Sequence, residues 1–178
     1  FLAGFDPHGR IMQNPHWSTT KGCHHLKHTI VLLKLYDIFK DEKFVDSAIR
    51  LLRWGLSLQL ESGRFVAFLG SKETYVHANC YAVEGLLRGL TLLDMNSVLK
   101  ERLIHAAEWL SSAQNGDGSV WNWYNSAKEG IKVSEALAQT IRIWILTREL
   151  FPESRRVNRF STNIKKGLDF LRGMQCLN

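Results

Sequence analysis

Trp54-Gly-Leu-Ser-Leu-Gln59, followed shortly by Gly63-Arg64-Phe65, is the stretch on which the reading of this chain turns. It returns as Trp109-Leu-Ser-Ser-Ala-Gln114 with Gly118-Ser-Val-Trp121 behind it, and again as Phe170-Leu-Arg-Gly-Met-Gln175. In each copy an aromatic residue stands five positions before a Gln that ends an amphipathic run. The copies recur at intervals of about 55 to 61 residues, room for two helices and two connections. A Gln amide at a helix C-terminus can bond orphan backbone groups of its own or a neighbouring helix. The aromatic ring packs in a layer between helices, and the Gly after it lets the chain turn. Each unit therefore reads as a helical hairpin whose second helix lies outermost.

Working outward from these runs, the 3.6-residue apolar period predicts helices over about 21–40, 43–60, 75–93, 97–114, 133–150 and 161–176. Asp41-Glu-Lys43, Asp94-Met-Asn96-Ser97 and Phe151-Pro-Glu-Ser154 supply turn or cap residues within hairpins. The links between hairpins, 63–74 and 115–132, are longer, and the second holds Trp121, Trp123 and Tyr124. No segment alternates with period two, so the expected fold class is all-α with no sheet. The organisation expected is an N-terminal arm over 1–20, with His16 and Trp17, and a helical domain over 21–178 built of hairpins at about 21–60, 75–114 and 133–176.

The pattern of a basic residue, Gly or Ala, an aromatic, Gln and a following Gly resembles the QW repeat of the α,α-toroid superfamily of terpenoid cyclases and protein prenyltransferases. Lys166-Gly167 to Gln175 and Ala106 to Gln114 carry it well, whereas Gly55 stands where an aliphatic residue is usual. Tyr75-Val-His-Ala-Asn-Cys-Tyr-Ala-Val-Glu-Gly85 and Ala138-Gln-Thr-Ile-Arg-Ile-Trp144 are more similar to the branch with six-hairpin glycosidases, sugar epimerases and polysaccharide-biosynthesis proteins. The resemblance implies two concentric rings of helices, the first helix of each hairpin lining the centre. Complete toroids of this kind use about six hairpins. Three imply a partial ring, completed either by a missing N-terminal half or by a second copy in a homodimer.

Composition bounds the function. The chain has 178 residues, 45% hydrophobic and 22% charged, enough apolar chain for a packed core and unlike a disordered polymer. Apolar stretches such as Thr29 to Leu33 are cut by charges well before the roughly 20 residues of a membrane span. Cys23, Cys80 and Cys176 are odd in number and lack CxxC spacing, which fits a reducing, cytoplasmic setting and core thiols. The opening Phe1-Leu-Ala-Gly4, without Met, is expected of a processed or internal start. Net charge is +6, with Arg155, Arg156, Arg159, Lys165, Lys166 and Arg172 near the end. Without interleaved aromatics they read as a solvated helix face, and nucleic acid is not an expected partner.

On the predicted inner helices the polar residues share a register. His77, Tyr81 and Glu84 occupy i, i+4 and i+7, and Glu135, Gln139 and Arg142 repeat that spacing one hairpin later. His24 and His28 stand at i and i+4 in the first hairpin. Two carboxylates and an imidazole facing one cavity suit sugar chemistry, so Glu84, Glu135 and His77 are the candidate catalytic residues. His28, Tyr81, Trp121, Trp123, Gln139 and Arg142 are the candidate substrate contacts, the aromatics for sugar faces and Arg142 for a uronate or phosphate. The plainer alternative is a set of satisfied helix contacts, strongest for Glu84, which can pair with an Arg. Trp121 and Trp123 fit a loop folded on the outer helices as well as a sugar platform. Cys23-His24-His25-Leu-Lys-His28 lacks the paired motif of a zinc site, and Asp117 in Asn-Gly-Asp-Gly118 suits a local turn; neither a metal nor a cofactor is expected. The expectation is a glycan-processing hydrolase, lyase or epimerase acting on an oligosaccharide or polysaccharide. An isoprenoid cyclase, for which the DxDD and DDxxD motifs are absent, and a non-catalytic glycan-binding or scaffold subunit are the alternatives.

Overall fold

The computed structural model describes residues 22–92 and 96–175. A 3-10 turn over Cys23–Lys27 leads into α1, His28–Phe39, which pairs with α2, Lys43–Leu56. The second hairpin is α3, Val76–Leu92, with α4, Asn96–Ala113; the third is α5, Ser134–Leu150, with α7, Phe160–Gln175, joined through a short α6, Arg155–Asn158. α3 packs sideways against α1 and α5, making an inner row, while α2, α4 and α7 pack behind it. This is a partial α,α-toroid. The N-terminal arm, His16, Trp17 and Cys176 lie outside the described residues.

The apolar stripe of each helix is what the two rows bury together. Leu32, Leu33, Leu51, Leu52, Val83, Leu86, Leu103, Leu110, Ile143 and Trp144 are all buried in one continuous core. Trp144, on α5, donates its indole N–H to the Ala107 carbonyl on α4 at 3.1 Å and so gives its polar edge a partner inside that core. Trp54 is buried, and Trp109 and Phe170 are half-buried against the same core, one on each outer helix.

The repeated Gln has a repeated geometry. Gln59 Nε2 donates to the carbonyls of Gly63 and Arg102, both at 2.8 Å; Gln114 Nε2 donates to those of Gly118 and Asn163, both at 2.9 Å. Each Gln thus ties the turn after its own helix to the outer helix of the next hairpin. Gly63 and Gly118 adopt φ of +92° and +89°, and a Cβ on either would lie 2.3 Å from a carbonyl oxygen of that next helix, His105 or Lys166.

Three local expectations are corrected. The first helix does not begin as α-helix: its opening turn is 3-10, with Leu26 packed between Gly55 of its own hairpin and Gly85 of the next. Second, a sheet exists, though minimal. Thr74–Tyr75 pairs antiparallel with Trp123–Tyr124, two residues a side, too short for a period-two signal and formed between the two inter-hairpin links. Third, a short α6 forms just after the expected Phe151–Ser154 turn, in the gap between the helices expected over 133–150 and 161–176. The basic residues near the end are partly neutralised: Arg156 and Arg159 both bond Glu108 of α4, at 2.7 Å each, and Arg156 also reaches Glu101.

Candidate functional site

A cleft of about 460 Å³ opens where the second hairpin begins. It is lined by His24 of the 3-10 turn, Ala67 and Phe68 of the first link, and Tyr75, His77, Ala78 and Tyr81 at the start of α3. The links are held there by specific bonds. Asn79 Oδ1 accepts the Phe65 N–H at 2.8 Å, Thr74 Oγ1 donates to the Phe65 carbonyl at 2.8 Å, and Val76 N–H donates to Asn122 at 3.0 Å, bringing the second link onto the first turn of α3.

The strand pair sets the aromatic residues in order. Trp123 lies opposite Tyr75, with ring centroids 4.7 Å apart and planes inclined by 17°. Tyr75 stacks on His77 at 6.1 Å, and His77 meets Tyr81 edge to face at 4.5 Å. Lys27 Nζ sits 3.6 Å over the Tyr81 ring, a cation–π contact at the end of the row. Tyr75, Lys27 and Phe68 were not among the candidates read from the sequence. Tyr75 stood in the quoted run, but only the strand pairing shows its use; Lys27 carried no signal.

Trp121 and Trp123 part company. The Trp121 N–H donates to the Tyr124 hydroxyl at 3.1 Å, and that hydroxyl donates to the Ala113 carbonyl at 2.6 Å; Tyr124 packs edge to face on Trp109. Trp121, 5.4 Å from Tyr124, belongs to this anchor on the outer helix, whereas Trp123 joins the cleft row. Asp117 accepts from the Ser119 N–H and hydroxyl and pairs with Lys132 at 2.5 Å, a local turn. The Lys132 hydrogen bond, then those from Ser119, hold the Asp117 carboxyl down to about 2.

Glu84 is buried, 3% exposed, with its oxygens divided between Arg142 of α5 and Lys27 Nζ, the latter at 3.2 Å. Glu84 and Arg142 line a second cleft, about 410 Å³, further along the inner row with Ile30, Leu87, Arg88 and Leu146. Glu135 is exposed at the start of α5 and lines a third hollow, between α5 and α7. Its carboxylate nevertheless acts on the first cleft. Burial lowers the titration of His77, opposed by Glu135 and reinforced by Lys27; burial, then Glu135, raises that of Tyr75. His77 Nδ1 is buried without a hydrogen-bond partner among the described residues. Gln139 is half-buried one turn above Glu135, and His28 stacks on His25 at 5.5 Å, beside the cleft residue His24.

Among the described residues no group of three or more His, Cys, Asp or Glu side chains is placed to hold a metal. Burial pushes the Cys23 thiol up and the Cys80 thiol up to about 12, so both stay protonated core thiols. No helix of the described residues is long and apolar enough to cross a membrane.

No protein-family model and no curated protein sequence matches this chain. Solved structures do. An unsaturated glucuronyl hydrolase specific for heparin superposes with a TM-score of 0.75 at 12% identity, over 94% of this chain and 52% of its own. A polysaccharide lyase gives 0.70 at 15% identity, over 90% and 50%. The ent-copalyl diphosphate synthase from Streptomyces platensis gives 0.68 at 19%, over 96% and 30%. These likenesses establish the α,α-toroid fold, shared with glycan-processing enzymes and with a terpenoid cyclase. The chain spans about half the length of the glycan-processing structures it matches.

Proposed function

We propose that this chain forms part of a glycan-processing toroid enzyme, a hydrolase, lyase or epimerase, and carries one wall of its sugar-binding cleft. The observation that carries the reading is the cleft itself: a row of Trp123 and Tyr75 from the strand pair and His77 and Tyr81 from the inner helix α3, ended by a lysine. Apolar sugar faces lie against aromatic side chains, and few polar groups are needed to orient them. His77 and Glu135 are the proton-transfer groups in this reading. His77 stays neutral near pH 7 because burial lowers its titration, so it is available as a base, and Glu135 is exposed to a substrate or to water. Glu84 is buried and ion-paired, so a second reactive carboxylate would come from outside this chain.

Tyr81 and Trp123 supply sugar contacts. Arg142, 53% exposed above Glu84, supplies a fork for an acidic group such as a uronate carboxylate, with Gln139 one turn away on α5. The same inner face serves an isoprenoid substrate less well, because the groups gathered there are imidazole, phenol and cation rather than a cluster of acids. His28 and Trp121 support the cleft from behind in this account rather than touching substrate.

The test is an assay of the intact polypeptide against acidic and neutral polysaccharides, scored by release of reducing ends or of unsaturated sugars. His77→Ala and Glu135→Gln should each lower kcat by about 100-fold or more while leaving the unfolding midpoint near that of the parent. Full activity in both variants would contradict the assignment.

A further inference from the structure

A carboxylate that is 3% exposed in the middle of a helix stays charged only in company, and Glu84 has company from two other elements. Arg142 approaches from α5 and Lys27 from the 3-10 turn, so one side chain bridges all three hairpins of the inner row. The lysine is the informative partner. It is 40% exposed and has a flexible four-carbon stem, yet its ammonium lies 3.6 Å over the Tyr81 ring, one turn before Glu84 on α3. A cation–π contact at such exposure is worth too little to immobilise a lysine by itself. The carboxylate beneath supplies the tether.

We infer that Glu84 is a positioning residue, whose carboxylate ties Lys27 across Tyr81 and thereby fixes a cation at the end of the aromatic cleft. The inference rests on the reading of that cleft as the ligand site. The requirement is for a carboxylate. An amide keeps one acceptor oxygen but turns its nitrogen, a donor, toward the second cation, and the two cations can no longer share it. The groups that act on His77 are Glu135 from α5, Lys27 from the 3-10 turn, and Tyr75 and Tyr81, whose rings flank it on its own segment. Release of Lys27 is therefore readable at His77, which the lysine holds down.

The experiment is side-chain NMR of the whole chain, without ligand, comparing the parent with Glu84→Gln, Lys27→Met and Arg142→Gln. In the parent the Lys27 ε-methylene should resonate upfield, shielded by the Tyr81 ring. In Glu84→Gln it should return toward the position of a free lysine, and the His77 titration should move up toward its value in Lys27→Met. Glu84 is not among the groups that act on His77, so loss of its charge with Lys27 still in place gives no upward move, and the upward move is what marks release of the lysine. A Lys27 methylene that stays upfield in Glu84→Gln overturns the inference. Should that variant fail to fold, Glu84→Asp, shorter by one methylene, should lose part of the shift, and an unchanged shift there is equally fatal. Calorimetry with a heparin-derived unsaturated disaccharide then supplies the functional arm. Glu84→Gln and Lys27→Met should each weaken binding by about tenfold, and the double variant no further. No binding by the parent, with the NMR changes as expected, would fault the reading of the cleft and leave the tether standing.

Discussion

At Gly85 a Cβ would lie 2.2 Å from the Leu26 carbonyl oxygen, and at Gly55 one would lie 2.3 Å from the Leu26 side chain. The obstacle at Gly85 is backbone, which cannot rotate away. Gly85→Ala should therefore destabilise by about 1–3 kcal/mol, read from urea midpoints, whereas Gly116→Ala, with nothing within 4 Å, should stay within about 0.5 kcal/mol of the parent. The histidines make a second residue-scale statement. Burial lowers the titration of His24, His28 and His77, so below their ordinary range the unfolded chain binds more protons than the folded one. Their neutral forms cost nothing above about pH 6.5. As pH falls through that value, stability should decline, and urea midpoints at pH 7.5 and 5.5 should differ in that direction. A higher midpoint at pH 5.5 would refute it. For Glu84→Gln the expected cost is about 1–3 kcal/mol, since the two cations it leaves are half exposed and regain water.

Among elements, the outer helices show what a repeat can and cannot reveal. Gln59→Leu should destabilise by about 1–3 kcal/mol, because two carbonyls at the turn and on α4 lose their donor. Gln175→Ala, at an exposed position, should change the same midpoint by less than about 0.5 kcal/mol. The six long helices were legible because each carries a sustained apolar period, and the outer three also end on a recurring aromatic and Gln. The departure at Gly55 was legible as a departure, yet its reason, the Leu26 side chain from the turn that opens the same hairpin, was not. The β pair was out of reach of periodicity, since two residues a side have none, and with it went the use of Tyr75. Lys27 was missed for a related reason: only the fold brings the end of the first turn over α3. The pairing of Glu84 with an Arg was foreseeable from its place before Gly85 in a packed run, whereas its partner Arg142 and the sharing with Lys27 were not.

Across the whole molecule, the arc has two open ends. α1 exposes Val31, Ile38 and Phe39, while α5 exposes Ile145 and α7 exposes Leu168 and Met174. The chain also spans about half of the glycan-processing structures it resembles. Both facts favour a ring completed by further hairpins or by a second copy, and light scattering should show association rather than a stable 20.4 kDa monomer of the isolated chain. The central claim concerns the wall that this arc contributes. The most direct measurement is chemical-shift mapping of the chain titrated with a heparin-derived unsaturated disaccharide, with an isoprenoid diphosphate and magnesium as the comparison. The account predicts saturable shifts confined to Tyr75, His77, Tyr81, Trp123 and the Lys27 side chain, caused by the sugar. Shifts caused by the diphosphate alone, or sugar-induced shifts confined to the outer helices, would contradict it.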